Sequence, residues 1–160
     1  MKDGTILLFK PEGKPNLLQR IIQDVTKSEY THAAIYCEGC IYEADWPKVK
    51  VHVTPPQEPD LLLEPETPLS DIEKKRMWNY LENAYAEEWE YNIPKLVILW
   101  IVYPLRKLFS WLKWMPFDKW IYGEICSGLV QEAWRATHRM DPENWTAPGD
   151  FTRWEGFQAR

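Results

Sequence analysis

Cysteine and histidine are scarce in this chain: three of each in 160 residues. An odd number of cysteines does not build a disulfide framework, and the spacing of these three offers none of the paired patterns of a small secreted scaffold. The "CEGC" run, Cys37 to Cys40, has no second C-x-x-C or H-x-H to complete four zinc ligands, and it falls between two strand-like runs, not at a helix start. No metal or other cofactor is therefore expected. Runs of lysine and arginine are also missing, and with a net charge of −5 there is no phosphate-tracking stripe, so nucleic acid is set aside as a partner. The longest apolar run, "LVILWIVY", is far short of the ~20 residues that span a bilayer. The opening "MKDGTILLFKPEG" has charges at positions 2 and 3 and four consecutive apolar residues, which does not make a secretory signal. A cytoplasmic chain is the expectation. No internal repeat is visible.

What the chain has in quantity is aromatic and apolar surface: ten tryptophans and 45% hydrophobic residues. That composition, at a length able to bury roughly two thirds of the unfolded surface, predicts one ordered domain over residues 1–160.

Periodicity gives the order of its parts. "GTILLF" reads as a strand ended by a turn rich in proline and glycine, and Leu17, Leu18, Ile21, Ile22 and Val25 form the stripe of an amphipathic helix. "THAAIYCEGCIYEAD" is two apolar runs about Glu38-Gly39, a tight hairpin, and Val49, Val51 and Val53 alternate on one face of a further strand. A proline-rich connector carries a short strand at Leu61 to Leu63. Ser70 and Glu73 form a capping box that opens a helix with Met77, Tyr80, Leu81, Ala84 and Tyr85 on one face. "CSGLVQEAWRATH" reads as a last helix, followed after "TAPGDF" by a polar tail without pattern. Strands joined by hairpins and followed by helices make an α+β fold: an antiparallel sheet or small barrel packed against helices.

The tryptophan-rich stretch at about 93–121 is a helical insertion broken at Pro104 and ended near Pro116. Within it "LRKLFSWLKWM" carries only positive formal charges, with Trp111 and Trp114 of the interfacial kind. Two readings stand: a helix packed on its own domain near the cleft, or a face that lies on an anionic membrane surface and contacts lipid.

The chemistry centres on "EICSGLV". Cys126 sits where a helix begins, and free backbone N–H groups at a helix start favour a thiolate. A thiol nucleophile needs a base. His138 lies too far along the same helix to fold back, and His52 alternates with the valines and faces away from what they pack on. His32 remains. A two-residue turn at Glu38-Gly39 pairs 37 with 40, 34 with 43 and 32 with 45, placing His32 on one face with Glu43 and Asp45. Either carboxylate could orient the imidazole; parity leaves both open, since a bulge would shift the register.

These blocks together, "THAAIYCEGCIYEADWPKVKVHV", "EICSGLVQEAW" and "TAPGDF", resemble the circularly permuted branch of the NlpC-type papain-like superfamily, which includes the YiiX-like amidases. "GTILLF" is similar to that group's opening strand, with Thr5 in place of the usual acid, and Ile125 stands where non-permuted relatives carry aspartate. The resemblance implies a papain-like fold in permuted order, histidine strand before cysteine helix. It implies Cys126 as nucleophile, His32 as general base and Glu43 as the orienting residue, with Asp45 the alternative from parity. The implied activity is that of a cysteine hydrolase or thiol acyltransferase, acting on a peptide, peptidoglycan-like or N-acyl amide substrate through an acyl-enzyme. The backbone N–H of Cys126 is the first oxyanion donor, with Tyr122 or Tyr91 as candidate second donors. The competing expectation is a non-catalytic papain-like module that binds partners or membrane through its tryptophan-rich helices.

Overall fold

Glu38 and Gly39 both take positive φ, 50° and 81°, the pair of values a type I′ turn requires between twisted antiparallel strands. The turn closes Cys37 directly onto Cys40 without a bulge, so β2 (His32–Cys37) and β3 (Cys40–Asp45) keep the expected register, Tyr36 against Ile41 and Ile35 against Tyr42. This computed structural model describes residues 1–91, 105, 125–140 and 146–160, without the side chains of Leu17, Leu18, Ile21 and Val25. Most side chains of the expected stripe of the first helix therefore lie outside what is described, as do the stretch at about 93–121 except Leu105, with Trp111 and Trp114 in it, and Tyr122.

β1 (Ile6–Phe9) pairs antiparallel with β2 on one side and with β5 (Leu61–Pro65) on the other. β4 (Lys48–His52) follows β3 as the next antiparallel neighbour. β6 (Phe157–Ala159) adds to β5, giving an open six-stranded sheet in the order β4-β3-β2-β1-β5-β6. The fold is thus α+β with an open sheet; the barrel alternative does not hold for the described strands, because β4 and β6 end the order as separate edges. The C-terminal tail also departs from expectation. It folds into a 3-10 turn at Pro148–Arg153 and then β6, whose backbone satisfies β5.

Among the described residues, three α-helices with both ends described lie beside the sheet. α1 (Leu17–Thr26) opens on a capping box in which Asn16 Oδ1 accepts from the Gln19 N–H and Gln19 Oε1 accepts from the Asn16 N–H. α2 (Asp71–Ala86) opens on the expected Ser70/Glu73 box. α3 (Cys126–Ala136) stops two residues before His138, whose φ of 62° takes the chain out of the helix.

One face of the sheet, with Ile6, Leu8, Ala33, Ile35, Tyr42, Ala44 and Val49, packs on Met77, Leu81 and Ala84 of α2 and on Leu129, Val130, Ala133 and Trp134 of α3. Each of the isoleucine, leucine, valine and methionine side chains contributes about 1.5–3 kcal/mol on burial, which is what presses α3 against β2 and β3. Two residues expected on apolar faces are not there. Val53 lies past the end of β4 and is 78% exposed, and Tyr85 is exposed on α2. The opposite face holds a smaller apolar cluster of Leu7, Phe9, Ala34 and Ile41, and by strand alternation it is the face of His32 and Glu43.

Candidate active site

The first residue of β2 is His32, which register places beside Phe9, with ring centroids 5.6 Å apart. Its Nε2 lies 2.7 Å from Oε2 of Glu43, two residues of diagonal offset away on β3. Asp45, the other carboxylate that parity allowed, accepts instead from Lys50 Nζ at 2.6 Å. The imidazole therefore meets Glu43. The second oxygen of Glu43, Oε1, lies 2.9 Å from Nε2 of His52 on β4. His52 is on the far side from Val49 and Val51, as expected, and that side is the one Glu43 occupies. The signal for this contact was the β3–β4 register: Ile41 opposite His52 and Glu43 opposite Lys50 put His52 diagonal to Glu43.

Cys126 arrives from the helix layer. Its predecessor Ile125 is the N-cap residue of α3 and supplies no side-chain hydrogen bond to the first turn. An Asp, Ser or Thr there would occupy one of the free N–H groups; an isoleucine leaves them for another acceptor. The Cys126 thiol lies close enough to the His32 imidazole to act on the ring as a hydrogen-bonding and charged neighbour. Since Nε2 of that ring is engaged by Glu43, Nδ1 is the nitrogen that remains for the sulfur.

The electrostatics follow from these contacts. Burial pulls the His32 pKa down, but the hydrogen bonds to Cys126 and Glu43 and the charges on both outweigh it and raise the ring to about 10. Burial pushes the Glu43 carboxyl up, while the His32 hydrogen bond and the charges of His32 and His52 pull it below its ordinary value, and the lowering wins. Glu43 is ionised and His32 protonated in this arrangement when the sulfur carries charge. The Glu43 side chain is 6% exposed, against 27% and 30% for the two imidazoles, so solvent meets the group on the histidine side.

Tyr91 is positioned by its backbone, which donates to the carbonyl of Pro47 at 2.8 Å, next to the bridge between Lys48 and Glu90. Burial and then the charges of Cys126 and Asp45 push its phenol up, so the hydroxyl stays protonated within reach of the sulfur's field. Tyr122 lies outside the described residues. Cys37 and Cys40 are free thiols facing each other across the hairpin, and among the described residues no group of three or more potential ligands is placed to hold a metal. No helix among them is long and apolar enough to cross a membrane. No protein-family model matches the chain, and no curated protein matches it.

Proposed function

We propose that this chain is a cysteine hydrolase or thiol acyltransferase acting on an amide, with Cys126 as nucleophile, His32 as acid and base, and Glu43 as the residue that orients His32. The observation that carries the reading is the placing of the Cys126 thiol, at a helix start that Ile125 does not cap, beside an imidazole whose Nε2 is held by a buried carboxylate. A structural thiol has no need of that chain of three groups. The order of the parts, histidine strand first and cysteine helix last, is that of the permuted papain-like arrangement, and the proposal places the chain there.

In this mechanism the Cys126 thiolate adds to the carbonyl carbon, and the negative charge moves to the carbonyl oxygen. The free N–H groups at the start of α3, that of Cys126 first, stabilise that oxygen, with the protonated Tyr91 phenol as the second donor. His32 gives its proton to the leaving nitrogen, the C–N bond breaks, and a thioester with Cys126 remains. An acceptor then attacks the thioester while His32 takes the acceptor's proton. Water as acceptor releases an acid; an amine or alcohol receives the acyl group. Glu43 keeps the imidazole oriented and stabilises its charge throughout, without itself reacting. Peptide, peptidoglycan-like and N-acyl amides all fit this chemistry, and apolar residues at about 93–121 suit a lipid-bearing substrate or a membrane surface.

The test is an acyl trap. Brief reaction with p-nitrophenyl acetate at pH 6 is expected to place one acetyl group on Cys126, found by peptide mass mapping, and Cys126→Ala is expected to lose it. Acetylation confined to lysines, at the same extent in Cys126→Ala, would refute the reading.

A further inference from the structure

Glu43 divides its carboxylate between two histidines. Oε2 goes to His32 at 2.7 Å and Oε1 to His52 at 2.9 Å, on neighbouring strands that flank β3. The residue directly opposite Glu43 on β4 is a cation, Lys50, yet Lys50 pairs with Asp45. Among the described residues, both ion pairs of Glu43 are therefore to imidazoles.

Resting on the proposed triad, we infer that His52 is a positioning residue for the reaction: by donating to Oε1 it fixes the Glu43 carboxylate, and through it the ring of His32.

A carboxylate held at one oxygen can still turn about its terminal torsion, which is broad and two-fold. A second donor at the other oxygen removes that freedom. Ionised, the carboxylate only accepts, so each imidazole must present N–H at Nε2; protonated, it would offer an O–H to one of them and break the pattern. With both bonds made, His32 presents N–H at Nε2 to Glu43 and keeps Nδ1 for proton transfer to and from Cys126. His52 takes no part in bond making, and the hydrogen bond it donates stops at Glu43.

The groups that face this carboxylate can be named strand by strand. His32 stands on β2, Asp45 is its neighbour on β3, and Lys50 and His52 stand on β4. Asp45 and Lys50 pair with one another, so removing His52 leaves the Glu43 carboxylate, whose side chain is 6% exposed, with one hydrogen bond in place of two. Burial then pushes its proton affinity up, and the thiolate–imidazolium pair loses support at its far end.

The experiment is the pH profile of Cys126 alkylation by iodoacetamide in the full-length wild type, His52→Ala and His52→Gln, with His32→Ala alongside. Glutamine can place its amide nitrogen near where Nε2 of histidine stood and so can keep the donation. His52→Ala is expected to move the acid limb to higher pH and to slow labelling at pH 6 by about threefold to tenfold, as a shift of half a unit to one unit would. His52→Gln is expected to stay within about twofold of wild type, since the bond to Oε1 survives. If alanine does not fold there, His52→Asn, whose amide stops short, takes its place. A His52→Ala profile superimposed on wild type, while His32→Ala abolishes the low-pH limb, would overturn the role of His52 and leave the triad standing. A wild-type profile already like that of His32→Ala would remove the triad reading itself.

Discussion

His32 and Glu43 have opposite linkage to folding. The native state raises the His32 pKa from 6.5 to about 10, so it binds that proton more tightly than the unfolded chain does. The resulting stabilisation is fully present below about pH 6.5 and is lost as the pH rises through about 10. Glu43 works at the other end: its pKa is lowered, so its contribution is present above the ordinary value of 4.5 and is lost as the pH falls below it. Urea unfolding of wild type and His32→Gln between pH 6.5 and 10 is expected to show stability falling with pH in the wild type and a smaller fall in the variant. Parallel curves would contradict the raised His32 pKa. At this scale strand parity was enough to bring a histidine and two carboxylates onto one face. It could not choose between Glu43 and Asp45, because the choice is made by Lys50 reaching Asp45, and that depends on how β4 lies beside β3. The contact of His52 with Glu43 was missed for the same reason: alternation says which face a residue takes, whereas a partner needs the register of two strands.

Among the elements, the helix starts divide into two kinds. α1 and α2 open on reciprocal boxes, Asn16 with Gln19 and Ser70 with Glu73, each readable as a polar residue followed three places later by Glu or Gln. α3 opens on Ile125, which gives its first N–H groups no side-chain acceptor, as a site for developing negative charge requires. Its other end is tied down. Just past α3, Arg139 donates from Nε to Oε1 of Glu73 and from Nη2 to Oε2, both at 2.8 Å, and also to the carbonyls of Thr67 at 2.7 Å and Pro68 at 2.9 Å. That clamp, with Ser70 after it, holds the Glu73 carboxyl down to about 2 and joins the end of the cysteine helix to the start of α2. Arg139→Met, which keeps the stem and loses the fork, is expected to cost about 1 kcal/mol in urea unfolding at pH 7. No change would mean the clamp carries no net stability. The element that sequence did not reveal is β6. A three-residue strand bonded to β5 alone, with two of its residues exposed, has no alternation long enough to register as a period.

Over the whole molecule, the site exists because the sheet and the helices deliver residues far apart in the chain to one place. The central strand β2 presents His32, β3 presents Glu43, β4 presents His52, and α3, packed on β2 and β3 by Leu129, Val130, Ala133 and Trp134, brings Cys126. The α+β class and the hairpin were legible because local periods and a Glu-Gly turn encode them. The closure of the sheet edge by β6 was not, since it is a long-range pairing. The central claim concerns one thiol among three, and the other two are built-in controls: Cys37 is buried with its thiol pushed up to about 12, and Cys40 lies opposite it on the hairpin. The most direct measurement is the iodoacetamide labelling rate of each cysteine in the folded protein at pH 6, resolved by peptide mass. Cys126 is predicted to react at least about tenfold faster than Cys37 or Cys40, and to lose that advantage in His32→Ala. Labelling of Cys126 no faster than the other two, and unaltered by His32→Ala, would contradict the account.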